Sequence, residues 1–278
     1  MEVNRTNQNP GKLAVGNPAD GVPTLAELWQ RPLPGFAGQP VRRGCCRALA
    51  ALGQGWLREA TGWEHILTGN DPFILAPNHS SRAEALLLPA LLAVQRGGRQ
   101  VHFLADWNFL LWPLVGWLIQ MNDPIIVTRK PARPKFLNAL KPWFKPVASP
   151  FKEARRRLLA GQSLGIFPEG TVNTQADRLL RGQSGVARLS LETGAPVIPL
   201  GLQFAGPAKR WLGAEVMTLH IGRPMRPMKN YIGTTAPAAA VREWHEQTMQ
   251  AIAELSGKTW HPHNPKTKYA PADSSIAN

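Results

Sequence analysis

Short apolar runs alternate with stretches of helical periodicity through the middle of the chain. Phe73-Ile74-Leu75-Ala76, Val101 to Leu104, Pro124-Ile125-Ile126-Val127 and Leu164-Gly165-Ile166-Phe167 are too short for helices and predict buried strands. Pro196 to Phe204 and Val216 to Ile221 predict two more. Arg82 to Gln95, 150–160, 184–193 and 236–256 read as helices, with Pro89 expected to kink the first. Alternation of this kind predicts an α/β sheet domain over residues 69–256.

The flanks read differently. Residues 1–40 are polar and rich in Gly, Pro and Asn, with one short helical candidate at Leu25–Trp29, and predict a flexible leader without the apolar run of a signal peptide. Within residues 41–68, Arg42, Arg43, Arg47 and Arg58 edge a face formed by Leu49, Leu52, Trp56 and Leu57, which predicts a basic amphipathic helix. Such a helix suits the headgroup region of an anionic membrane; the plainer reading packs it on the domain with its arginines in solvent. Residues 257–278 read as a disordered tail. Phe109 to Ile119 is the longest apolar stretch, and Pro113 and Gly116 interrupt it. It falls short of the roughly 20 residues that span a bilayer, so the chain is expected to lie on a membrane rather than cross one.

Charge narrows the list of partners. The 278 residues carry 32 basic and 18 acidic side chains, a net charge of +14. That excess favours a polyanion: nucleic acid, an anionic membrane surface or a phosphorylated substrate. Ten tryptophans against two tyrosines favour the membrane, although about half of them are expected to fill the core. No zinc-finger, RNA-recognition or basic-zipper signature accompanies the charge, so no nucleic acid is expected. Cys45 and Cys46 are adjacent and form no disulfide framework, which fits a reducing, cytosolic setting. The histidines and cysteines show no metal-ligand spacing, and no metal is expected.

Two motifs carry chemistry. Asn78-His79-Ser80-Ser81-Arg82-Ala83-Glu84 leaves a predicted strand and enters a predicted helix, where α/β proteins place ligands. Glu84 can reach back to one nitrogen of His79, fix its tautomer and support a proton taken by the other. The competing reading makes Ser81 and Glu84 a capping box, with His79 incidental. After a second predicted strand comes Phe167-Pro168-Glu169-Gly170-Thr171. Its proline stiffens a turn and its glycine permits close backbone approach. Between the two motifs, Lys130-Pro131-Ala132-Arg133-Pro134-Lys135 reads as an exposed basic loop.

Taken together, these blocks resemble the glycerolipid acyltransferase family, which includes the 1-acylglycerol-3-phosphate acyltransferases. The resemblance runs from about residue 70 to 225 and rests on four blocks in order: Asn78 to Glu84, Ile125-Ile126-Val127-Thr128-Arg129, Phe167 to Thr171, and Val197-Ile198-Pro199-Leu200-Gly201-Leu202. Three departures stand out: Glu84 replaces the usual aspartate, Asn122-Asp123 the glycine before the second block, and Val172-Asn173 the usual arginine and serine after the third.

The resemblance implies a single mixed, largely parallel sheet flanked by helices. It also implies an acyltransferase that moves a fatty acyl group from acyl-CoA or acyl carrier protein to a lysolipid hydroxyl, without cofactor or covalent enzyme intermediate. His79 would be the base and Glu84 its orienting partner, with Asn78, Ser81, Arg129, Glu169, Gly170 and Thr171 binding substrate. The expected acceptor is 1-acylglycerol-3-phosphate and the expected setting the cytoplasmic face of a membrane. Other lysolipid or aminolipid acceptors, and a non-catalytic peripheral membrane protein of the same fold, are the alternatives.

Overall fold

The computed structural model describes residues 21–81, 83–128, 131–132, 135–144, 149–204 and 217–266. Seven strands form one sheet: β1 (Leu57–Thr61), β2 (Ile74–Pro77), β3 (Val101–Asp106), β4 (Ile125–Val127), β5 (Ser163–Gly165), β6 (Val197–Phe204) and β7 (Met217–Ile221). Their order is β1-β7-β6-β2-β5-β3-β4, parallel throughout except for the antiparallel β6–β7 pair. The mixed, largely parallel sheet expected from the resemblance is therefore present.

Period-two alternation divides the core. Along β2, Leu75 and the preceding Phe73 face one cluster, Ile74 and Ala76 the other. The first cluster includes α1 (Leu25–Gln30), α2 (Pro40–Gln54) and α3 (Glu84–Gln95). The second includes α5 (Pro150–Leu159), α6 (Gly185–Thr193) and α7 (Ala238–Ser256). Helix α4 (Pro113–Gln120) follows β3 through a 3-10 turn at Trp107–Leu111 and occupies the broken apolar stretch. Burial on both faces explains why the central strands read as continuous apolar runs. No helix among the described residues is long and apolar enough to cross a membrane.

Several expectations need correction. The leader is folded from Thr24 onward: a Thr24–Glu27 capping box starts α1, and Leu28, Leu33 and Phe36 are buried; residues 1–20 lie outside the described set. The predicted helix over Val41 to Trp63 stops at Gln54, with Gly55 at its cap, and Leu57–Thr61 becomes strand β1 beside β7. Glycines at 53 and 55 signalled that stop. The apolar face of α2 packs on the domain through Cys46, Leu49, Ala50 and Gly53, and Arg42 and Arg47 bond the carbonyls of Met121 and Arg31. The packing is that of the plainer reading, but these two arginines are held by backbone carbonyls and do not stand free in solvent. Burial also pushes the Cys46 thiol up to about 12, leaving it inert.

The expected disordered tail is ordered through residue 266. Trp260 is buried, and backbone bonds join Thr259 to Asp177 and Leu179, and Pro265 to Arg181; residues 267–278 lie outside the described set. Pro199 sits in β6, inside the sheet, where prolines are rare. Its missing N–H is tolerated because the ladder to β7 begins one residue later, at Leu200, while its carbonyl accepts from Gly222. Past Pro134 the expected basic loop becomes a 3-10 run, Lys135–Phe144.

Two of these elements meet at Gly201, where a Cβ would overlap the backbone of Leu255 and force α7 off the sheet. Gly201→Ala should therefore destabilise the fold by about 1–3 kcal/mol, lowering the melting temperature by about 2–4 °C per kcal/mol. An unchanged melting temperature would contradict this packing.

Candidate active site

Parallel pairing of β2 with β5 brings the two sequence motifs together, because adjacent parallel strands end on the same side of the sheet. The loop Asn78–Ser81 leaves β2 and the turn Phe167–Thr171 follows β5. The backbone N–H of His79 donates to Glu169 Oε1 at 3.0 Å, and its carbonyl accepts from the Asn173 N–H at 2.7 Å. The imidazole stacks on Phe167, with ring centroids 4.1 Å apart and planes inclined at 28°. Phe167 in turn leans on Phe103 from β3. Backbone and ring of His79 are thus both fixed.

Glu84 performs both of the tasks that the sequence left open. Its Oε2 lies 3.2 Å from His79 Nδ1 and accepts from the Ser80 N–H at 3.1 Å; its Oε1 accepts from the Ser81 N–H at 2.8 Å. These last bonds resemble the glutamate half of a capping box, while the Ser81 hydroxyl accepts from the Ala83 N–H. With Glu84 ionised, Nδ1 of a neutral His79 is the donor and Nε2 is left as the acceptor. Burial raises the Glu84 carboxyl above its ordinary pKa, opposed by His79 and the two serine amides.

Other predicted site residues have positioning tasks. Asn78 has 0% exposure; its Oδ1 accepts from the Leu202 N–H at 2.6 Å and its Nδ2 donates to the Leu202 carbonyl at 3.0 Å. It pins the end of β2 to β6. Glu169, expected to accept from a bound hydroxyl, is only 3% exposed. Besides His79 N–H, it accepts from Asn173 Nδ2 and the Leu180 N–H, both at 2.8 Å. It is a buried brace for the histidine loop. Gly170 has φ +66°, and a Cβ there would overlap the Gln183 amide, so the turn requires glycine. Thr171 stands half-buried beside it. Arg129 lies outside the described residues.

Sequence reasoning missed Lys258. It comes from the segment expected to be disordered, yet Nζ donates to the Gln175 carbonyl at 2.7 Å and to Ser80 Oγ at 3.4 Å. Burial lowers its pKa, while Glu169, Glu84 and Asp177 pull the other way. No periodicity marks a residue placed by long-range folding alone. Asn173, replacing the serine of the resemblance, was also missed; its position four residues after Glu169 in a tight turn was the available clue. Two arginines follow the turn that lacks the usual one: Arg178 holds Gln175 Oε1 through Nε, and Arg181 offers its carbonyl to His245 and Trp260. No cluster of three or more metal-ligating side chains occurs among the described residues.

Beside the dyad runs a narrow apolar crevice lined by Leu87, Leu88, Leu91, Leu202, Phe204 and Met217, with Ser81 and Glu84 at its edge. At about 20 Å³ it is too small for a hydrocarbon chain without side-chain rearrangement.

Comparison with known proteins agrees with the geometry. The model of the family described as Acyltransferase matches residues 58–203. None of the curated proteins matches the chain. Among solved structures, the 1-acyl-sn-glycerophosphate (LPA) acyltransferase PlsC from Thermotoga maritima is similar at 18% identity. The match covers 81% of this chain and 85% of that one, with a TM-score of 0.51, and supports a shared fold.

The buried brace has a pH signature. Burial raises the Glu169 carboxyl above the ordinary carboxylate range, so the folded state holds its proton to higher pH than the unfolded chain. This group's contribution to stability is complete below the unfolded value and declines as pH rises through the folded one. Glu169→Gln removes the declining part. Thermal melts should show the variant's melting temperature, relative to wild type, rising as pH increases from about 4.5 to 7. A constant or falling difference would show that Glu169 ionises without cost.

Proposed function

Because the chain belongs to the acyltransferase family, we propose that it esterifies the hydroxyl of a membrane lysolipid, with 1-acylglycerol-3-phosphate as the leading acceptor and acyl-CoA or acyl carrier protein as donor. The observation that carries this reading is the His79–Glu84 pair, 3.2 Å apart, on a loop fixed at the carboxyl ends of the parallel strands. A hydroxyl placed at Nε2 gives up its proton to His79 as its oxygen attacks the thioester carbonyl. The new C–O bond forms, the C–S bond breaks, and the proton passes from His79 to the departing thiolate. Glu84 holds the ring and stabilises the imidazolium between those steps. Direct transfer of this kind needs no covalent enzyme intermediate and no metal.

Local features support an amphiphilic substrate. The apolar crevice beside Glu84 would admit a hydrocarbon chain only after its lining side chains move apart. Net charge of +14 favours phosphate-bearing partners. Arg129 remains the candidate for the acceptor's phosphate, and Lys258, beside Ser80, supplies a cation at the His79 loop. The work site is expected at a membrane surface, where the acceptor resides.

Thiol release from a long-chain acyl-CoA should depend on added lysophosphatidic acid and fall by about 10²–10⁴-fold in His79→Ala. Wild-type turnover untouched by the substitution would sink the base assignment. Lys258→Met removes the cation that opposes protonation of Glu84, so the acid limb of the pH–rate profile should move to higher pH. An unmoved limb with a higher KM would instead make Lys258 a substrate contact.

A further inference from the structure

The strands that carry the candidate site continue into a second feature. β5, β3 and β4 run parallel to β2, so all four end on one side of the sheet. The first two of these four in sheet order, β2 and β5, lead into the His79 and Glu169 loops. The next two lead into the 3-10 turn Trp107–Leu111 with α4, and toward the 3-10 run Lys135–Phe144. These segments are knitted into one platform. Asn108 Nδ2 donates to the Pro131 carbonyl at 3.1 Å, and the Ala132 N–H to Asn138 Oδ1 at 2.7 Å. Buried Trp107 forms the floor, 6.0 Å from the Phe144 ring and 5.9 Å from Lys141 Nζ.

Above that floor the side chains are not the ones that water favours. Trp143 is 84% exposed, Phe136 76% and Leu114 69%, with Trp112 also exposed; Trp117, exposed too, lines a groove with Gln39–Arg42 at the start of α2. Lys135 is exposed among them and Lys141 half-buried. Neither α4 nor the Lys135–Phe144 run places these apolar side chains in the two core clusters. Tryptophan beside lysine is the composition of a membrane interface, where indole rings sit among headgroups and lysine reaches anionic phosphate. The face contrasts with α2, where Cys46, Leu49 and Ala50 pack against the domain and Val41 and Leu52 are the exposed apolar side chains.

We infer that this platform, and not the apolar face of α2, is the surface on which the protein seats on an anionic phospholipid bilayer. The inference rests on the lipid-acceptor reading above for its purpose, and on exposure and charge for its location. Three strand spacings separate β2 from β4, about 15 Å at the usual interstrand distance. The strand end that leads toward the platform therefore lies on the same side of the sheet as the one that carries His79, about 15 Å from it.

The test is co-sedimentation of the full chain with vesicles of phosphatidylcholine alone and of phosphatidylcholine with one quarter phosphatidylglycerol. Wild type should partition to the anionic vesicles, and the double variant Phe136→Ser/Trp143→Ser should do so at least about tenfold less. Its melting temperature should match wild type, since both side chains are exposed, which separates lost docking from lost folding. Leu52→Ser on α2 should partition like wild type. Equal partitioning of the double variant and wild type would overturn the assignment, as would a loss confined to Leu52→Ser. So would a wild-type dimer that the double variant dissociates, with no vesicle binding by either. Binding is read without turnover, so an inactive protein that still docks would refute the acyl-transfer reading and leave the surface standing.

Discussion

Everything at the candidate site depends on two buried carboxylates holding one short loop. Three successive backbone N–H groups, of His79, Ser80 and Ser81, end on Glu169 and Glu84. A loop at the end of a parallel strand has no ladder partner for these donors, and leaving them unmet in a buried position would cost about 1–3 kcal/mol each. The carboxylates meet that need and set the direction of the imidazole in the same act. Because β2 and β5 are neighbours, the brace and the base arrive from segments far apart in sequence without any long excursion of the chain.

Burying both acids carries an electrostatic cost. Each is raised above its ordinary pKa by desolvation. Backbone amides, His79 and Lys258 offset part of it. Lys258 is itself lowered by burial, so the three groups stabilise one another's charges in a site that water reaches poorly. The glutamate at position 84 fits this arrangement: its longer reach lets one oxygen meet the imidazole and the Ser80 amide while the other takes Ser81.

Much of this is legible in the amino-acid sequence. The apolar runs at Phe73, Val101, Leu164 and Val197 marked the central strands, because burial on both faces leaves little alternation to misread. His79 and Glu84 were legible as a pair because their spacing spans a strand-to-helix exit. The edge of the sheet was not: Leu57–Thr61, with burial on a few positions only, continued the apolar and basic spacing of α2. Roles were harder than membership. Asn78 and Glu169 belong to the site, but only three-dimensional burial shows that their partners are the backbones of Leu202, His79 and Leu180. Lys258 carried no local signal, since its place follows from the packing of Trp260 and the pairing of Thr259 with Asp177.

The assignment of His79 as a base held by Glu84 makes one demand on the free protein: the neutral ring must carry its proton on Nδ1, facing the carboxylate, with Nε2 open. Long-range proton–nitrogen NMR of histidine-labelled protein, with His79 identified through its substitution, reads this tautomer directly. A dominant Nδ1–H form that weakens in Glu84→Gln is the expected result. A dominant Nε2–H form, unchanged by that substitution, would contradict the dyad and leave Glu84 as a loop brace alone.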